Sequence, residues 1–257
     1  MKKIKPVPAR HKPQGLTIIY EDMDVIVIDK SSGLLTVEAN YERQNTAHNI
    51  LTNYIRRGSS SSTKQLFVVH RLDRDTSGVL VFAKSERAWQ NLKEQWGTVK
   101  KKYVAVVHGI LTEKSGTITS YLAENDDYEV ASVKDPEKGK LAITSYKVIK
   151  ESKRFSLLEI DLLTGKKNQI RVHLFEKGHP IVNDDKYSNI RKTDGRLTLH
   201  SQSLTFNHPH TGKRLTFEAK VPAYWENFFP ERCPLENAHC RLNPPHGPST
   251  SMTSPAK

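Results

Sequence analysis

The pattern of apolar positions divides the chain into short elements. Residues 17–20 and 25–29 (TIIY and VIVID) are β-branched runs, and Lys30-Ser31-Ser32-Gly33 after them reads as a turn, so two strands and a turn are expected. From Thr46 the apolar residues Ile50, Leu51, Tyr54 and Ile55 recur at helical spacing, with Asn45 or Thr46 to cap the start and Gly58 to end it. Residues 58–63, GSSSST, read as a flexible loop. Residues 66–69 and 79–83 are short apolar strands, and Trp89, Leu92 and Trp96 predict a helix over 86–96 stopped by Gly97. Further strands are expected over 101–107, 141–149, 155–163, 197–206 and 215–219, and Ile170, His173 and Leu174 predict one short helix ending near Gly178. Strands outnumber helices and most are joined by turns, which predicts an α+β body. Its central sheet is expected to be largely antiparallel or mixed, with flanking helices and loops.

Composition adds tails and a partner class. Of 257 residues, 40 are Lys or Arg and 28 Asp or Glu, a net charge of +12 that points to an anionic partner, most often nucleic acid. Residues 1–14 hold Lys2, Lys3, Lys5, Arg10 and Lys12 with no acid and read as a basic disordered arm, able to touch phosphates or simply solvated. A folded body is expected over 15–229, and a Pro/Ser-rich disordered tail over 230–257. Cys233, His239, Cys240 and His246 lie in that tail at spacings that match no common zinc pattern, so no metal is expected. No apolar run is long enough to span a membrane, the N-terminus lacks the apolar stretch of a signal peptide, and two cysteines fit a reducing compartment, so an intracellular protein is expected. The dinucleotide, P-loop, zinc-deaminase, G-x-S-x-G and H-E-x-x-H motifs are all missing.

Chemistry concentrates in residues 70–78, HRLDRDTSG, a polar nonapeptide between two apolar strands. By composition it could be an ordinary strand connection, with Asp73 or Asp75 capping a turn, or a loop that presents functional groups from a rigid scaffold. Followed by VLVFAK, the string resembles the signature of the RluA family of RNA pseudouridine synthases. Four further stretches resemble that family in order: IIYEDMDVIVIDKSSGLLTV (18–37), KKKYVAVVHG (100–109), TGKKNQIRVHLFEKGHPIVNDDKY (164–187), and the closing LTLHSQSLTFNHP (197–209) with FEAKVP (217–222). Many relatives carry an S4 RNA-binding domain ahead of the catalytic domain; with the first strand near Thr17, none is expected here.

The resemblance implies a pseudouridine synthase catalytic domain over 15–229 that isomerises uridine in ribosomal or transfer RNA. It would need no cofactor or metal and would act in the cytoplasm, and a monomer is expected. Asp73 is then the catalytic aspartate, with Asp75 its local competitor, and either attack on C1′ or removal of the C2′ proton calls for an ionised carboxylate, which aspartate supplies at neutral pH. Arg171 matches the active-site arginine, although alone it reads as an exposed helix arginine. Tyr103 matches the tyrosine that stacks on uracil and is a candidate base for the C5 proton, although a tyrosine on an alternating strand is commonly core. Arg71 matches a residue that fills the gap left by the flipped base, Leu72 the pocket wall, and Lys166, Asn168 and Gln169 the substrate-binding segment. That segment departs from the usual T-G-R-x-H-Q-I-R at Lys166 and Asn168, and Lys loses the planar fork that grips phosphate. Lys93, Lys100, Lys101, Lys102 and Lys167, with Lys166, are candidate phosphate contacts. A non-catalytic RNA-binding protein and a general nucleic-acid binder are the competing readings; mere binding does not require Asp73, Tyr103 and Arg171 together.

Overall fold

The computed structural model describes residues 13–190 and 195–230; the basic arm and the Pro/Ser-rich tail, with both cysteines, fall outside them except at their inner edges. In chain order the elements are β1 (Leu16–Glu21), β2 (Val25–Lys30), α1 (Ala47–Arg56), β3 (Phe67–Val68), β4 (Ser77–Ala83), α2 (Glu86–Glu94), β5 (Lys100–His108), β6 (Ser115–Glu124), β7 (Val130–Val133), β8 (Lys140–Glu151), β9 (Phe155–Leu162), α3 (Gln169–Glu176), β10 (Leu199–Asn207) and β11 (Arg214–Glu218). The strands join in one sheet of order β1-β2-β4-β10-β5-β9-β8-β6-β7, with β11 on β10 and β3 on β4. Every pairing is antiparallel except β4 with β10, where Ser77 and Gly78 face His200 and Ser201 in parallel register. The sheet is therefore mixed and the fold α+β, as the strand-rich pattern predicts. Among the described residues no helix is long and apolar enough to cross a membrane.

Strands β2 and β4 are apolar over most of their length because both faces of the sheet are covered there. On β2 and β4, Ile26, Ile28, Leu80 and Phe82 pack with Leu51 and Ile55 of α1 and with Ile170 and Leu174 of α3. Val25, Val27, Val79 and Val81 point the other way, to Ala88 and Leu92 of α2 and to Phe206 and Phe217. Thr46 and Ser85 cap α1 and α2, their hydroxyls accepting from Asn49 and Ala88 backbone N–H groups.

Three boundaries differ from the sequence pattern. The helix expected over 86–96 ends at Glu94 and passes into a 3-10 turn at Trp96–Thr98, which leaves Trp96 half-buried beside β5. The strand expected over 66–69 keeps only Phe67–Val68 in the ladder. Strands β6 and β7 carry no apolar run and were not expected; their ladders with each other and with β8 hold them.

Candidate active site

The nonapeptide leaves the apolar edge of β3 and returns into β4, and buried polar groups fix its course. The Thr36 hydroxyl donates to the Leu72 carbonyl at 2.7 Å and accepts from the Leu72 N–H at 3.1 Å. Lys30, fully buried at the end of β2, donates from Nζ to the carbonyls of Leu34, Arg74 and Ser31 at 2.7, 2.9 and 3.0 Å. Burial drives its ammonium down to about 7 against the opposing pull of Asp75, Asp73 and Asp29. Gly78 closes the loop at φ +109°, and a Cβ there would lie 2.2 Å from the Ser201 carbonyl oxygen, so only glycine lets β4 run beside β10.

This clamp buries Leu72 and leaves its neighbours Arg71 exposed and Asp73 half-buried. Asp73 lines a cavity of about 620 Å³ together with Arg71, Leu72, Tyr103, Arg171 and Trp96. Asp75 lies outside it, ion-paired to Arg74 at 3.2 Å. Such a volume suits a nucleoside-sized group.

Arg171 comes from α3, which is buried almost all round, so the expectation of an exposed helix arginine is corrected: its residue is 6% exposed. Nε and Nη2 donate to the two carboxylate oxygens of Asp184 at 2.8 and 2.7 Å, and Nη1 donates to Asp73 at 3.4 Å. The guanidinium also lies over the Tyr187 ring at 5.2 Å. Burial opposes the charge, but the Asp184 hydrogen bonds and the charges of Asp184 and Asp73 outweigh it and raise the guanidinium above its ordinary value. The same bonds overcome burial at Asp184 and hold its carboxyl below the usual range.

Tyr103 stands on β5 opposite Ser201 of β10 and is 7% exposed, its ring in the α1–α3 core and its edge on the cavity. Loss of hydration pushes its phenol up to about 12; Ser201 opposes this as a hydrogen-bond partner, and the Asp73 charge adds to it. His70 accepts the Val81 N–H at Nε2 and rests 4.8 Å from the Trp96 ring; burial, with Lys101 and Lys93 nearby, lowers it to about 3, so it is neutral.

The segment before α3 is a tight cradle. Asn168 takes φ +54°, a left-handed conformation that asparagine tolerates, donates from Nδ2 to the Tyr187 hydroxyl and accepts from Arg171 Nη1 at 3.5 Å. Gln169 spends both ends of its amide inside the protein: Oε1 accepts from Thr164 and the Lys166 N–H, and Nε2 donates to the Ile143 carbonyl and Thr144. Lys166 is half-buried on the cavity wall. The structure thus brings Asp73, Tyr103, Arg171, Arg71, Leu72 and residues 166–169 to one cavity.

Lys30, Thr36, Asp184 and Trp96 are supporting residues that the sequence reading did not assign. A lysine ending an apolar strand just before Ser-Ser-Gly was the available signal for Lys30; nothing local marks Thr36 or Asp184. Among the described residues the one cluster with metal-ligand geometry is Asp22, Asp24 and His208, remote from this cavity. There His208 Nδ1 accepts from the His210 and Thr211 N–H groups while Nε2 donates to Asp22, so the ring is a structural clamp.

A model of the RNA pseudouridylate synthase family matches residues 24–176. An uncharacterized RNA pseudouridine synthase of Bacillus subtilis is 35% identical over 215 residues, covering 82% of this chain and 71% of that protein. Ribosomal large subunit pseudouridine synthase D of Zymomonas mobilis is 32% identical, covering 84% and 73%. Among solved structures, human RNA pseudouridylate synthase domain containing 4 superposes with a TM-score of 0.66 over 81% of this chain and 90% of that one; at 24% identity this likeness concerns the fold.

Proposed function

The chain belongs to the RNA pseudouridylate synthase family, an isomerase family, and from that premise we propose that Asp73 drives its reaction on a uridine everted from ribosomal or transfer RNA. The carrying observation is the Asp73 carboxylate 3.4 Å from a buried arginine, on the floor of a cavity that also holds Tyr103. Asp75 has the same chemistry but faces Arg74 outside the cavity, which supports Asp73 as the reacting group.

Uridine enters with its uracil against the Tyr103 ring while Arg71, exposed on the cavity rim, fills the space left in the RNA stack; eversion costs a few kcal/mol, which such a filler offsets. Asp73 then either attacks C1′, forming a C1′–O bond as the N1–C1′ bond breaks, or takes the C2′ proton. In both routes the electron pair of the broken bond leaves with uracil. The base turns and its C5 bonds to C1′ as the C1′–O bond to Asp73 breaks or, on the second route, as Asp73 returns its proton to C2′; the C5 proton departs and N1 ends protonated, so atoms and charge balance. Arg171 lies against the carboxylate and gives it a charged hydrogen-bond partner inside the cavity.

Tyr103 works as a neutral phenol. With its pKa near 12, a phenolate is present at roughly one part in 10⁵ at pH 7. Any proton it takes from C5 is therefore relayed as its own departs, while the ring positions the base. Lys30 and Thr36 hold the loop, and Gln169 is scaffold for the segment that presents Lys166 and Asn168.

The test is tritium release from [5-³H]uridine-labelled RNA taken from cells lacking this gene, with pseudouridine mapped in the product. The wild-type protein is expected to release tritium in step with pseudouridine, and Asp73→Asn to release none while still binding the RNA. Full turnover by Asp73→Asn would refute the role of Asp73. Tight RNA binding with no pseudouridine in any RNA would replace an enzyme by a binding protein.

A further inference from the structure

The cations around the cavity differ in how their charge is answered. Lys102 lies 2.9 Å from Glu159 and 3.5 Å from Asp161, Lys167 is bonded to Glu124, and Arg171 to Asp184. Lys93 is exposed, over the Trp89 ring at 5.9 Å and 3.5 Å from the Val69 carbonyl. Lys101 is different. It is only 9% exposed, its Nζ lies over the Trp96 ring at 5.8 Å, and no carboxylate or carbonyl accepts from it among the described residues. Its stem is buried while its ammonium opens on the cavity, where a ligand can answer the charge. Here burial, with Lys166 as the second cause, lowers its pKa.

Its placement shows what could answer the charge. Lys101 precedes Tyr103 by two residues on β5, so both project from one face about 7 Å apart along the strand. Both line the cavity, as does Lys166. Lys102, between them, points to the opposite face and its acidic partners. An RNA substrate carries its standing negative charge on phosphodiesters, and a compact ammonium with three donors suits one such group.

We propose that Lys101, seated on the Trp96 ring with Lys166 beside it, is the binding site for one backbone phosphate adjoining the uridine that enters the cavity. The inference rests on the RNA-modifying reading given above. The missing acceptor of Lys101 is thus supplied by substrate, and its engagement sets how far the everted nucleotide descends towards Tyr103 and Asp73. The Trp96 ring lies under the ammonium and helps to place it.

The experiment compares wild type, Lys101→Met and Lys101→Arg, using the same tritium-labelled RNA over a series of salt concentrations. Equilibrium binding and the melting of each free protein are measured alongside. Lys101→Met is expected to lose roughly 10- to 100-fold in kcat/KM, with a smaller fall in kcat at saturating RNA. The slope of log kcat/KM against log salt is expected to become shallower by roughly 0.7–0.9, the signature of one lost phosphate. Lys101→Arg restores most of both, and free Lys101→Met melts close to wild type because the ammonium has no hydrogen-bond or ion-pair partner among the described residues of the free protein to lose. An unchanged salt slope overturns the inference. So does a fall in kcat alone, which would put Lys101 on the charge leaving with uracil, or a loss of melting temperature in step with activity. Absence of tritium release by the wild-type protein defeats the functional reading instead, and the salt slope of binding then decides Lys101 by itself.

Discussion

Arg171 gives Nε and Nη2 to Asp184 and turns Nη1 to Asp73, so its orientation is fixed before substrate binds. Removing the anchoring charge with Asp184→Asn leaves the buried guanidinium with only long contacts to Asp73, Asp185 and Asn168 at 3.4–3.5 Å, and a stability loss of about 3–5 kcal/mol is expected by urea denaturation. Because Arg171 depresses the Asp184 carboxyl, the pair's contribution is present above the ordinary aspartate range and is lost as pH falls through the lowered folded value. The acid limb of the wild-type stability curve should therefore be steeper than that of Asp184→Asn. Lys30 gives a slope of the same sign in a higher pH window. Its folded pKa of about 7 lies below the ordinary lysine value, so between about pH 7 and 10.5 the unfolded chain binds the extra proton and stability rises with pH. Urea midpoints of the wild-type protein from pH 7 to 9.5 should climb, and the climb should flatten in Lys30→Met. A wild-type profile flat over this range would show that the three carbonyls keep the ammonium charged.

Among elements, the β4–β10 contact decides where the loop points, since the one parallel pairing of the sheet begins at Ser77 and Gly78, where residues 70–78 end. A methyl at Gly78 meets the Ser201 backbone at 2.2 Å in a conformation that L side chains rarely adopt. Gly78→Ala should cost more than about 2 kcal/mol by urea denaturation and lower kcat, since Tyr103 pairs with Ser201 on the other side of β10. The same elements show which parts of the architecture sequence could reveal. Strands β2, β4 and β5 were legible because two-sided burial gave them apolar runs, β9 because its burial alternates, and α1 and α2 because one-sided burial made them periodic. Strand β6, SGTITSYLAE, was not: most of its side chains are exposed or half-buried, and its ladder partner β8 starts at residue 140, so its stability is non-local. Helix α3 was found by spacing, but its burial on every side was not, and that burial separates a site arginine from a solvated one. Asp73, Tyr103 and Arg171 were legible as parts of family strings. Their supports were not, because Thr36, Asp184 and Ser201 reach the site only through tertiary packing.

For the whole molecule, the charge of +12 acts on RNA before any of these groups touches it. Exposed charges are screened beyond about 8 Å at physiological salt, so capture depends on cations near the RNA path while the chemistry depends on the cavity. The two contributions can be separated because five basic residues lie within residues 1–14, ahead of β1, and the groups proposed to react lie in the loop before β4, on β5 and on α3. A chain beginning at residue 15 should keep its kcat at saturating RNA, since no group of the cavity is removed. Its binding should weaken at low salt and converge with the full chain as salt rises, with a log–log slope shallower by roughly 0.7–0.9 for each arm cation that meets a phosphate. Parallel lines for the two proteins would make the arm a bystander and leave capture to the lysines and arginines around the cavity. A drop in kcat would instead mean that the first fourteen residues help to place the nucleotide over Asp73, a role that a screened, long-range charge cannot perform.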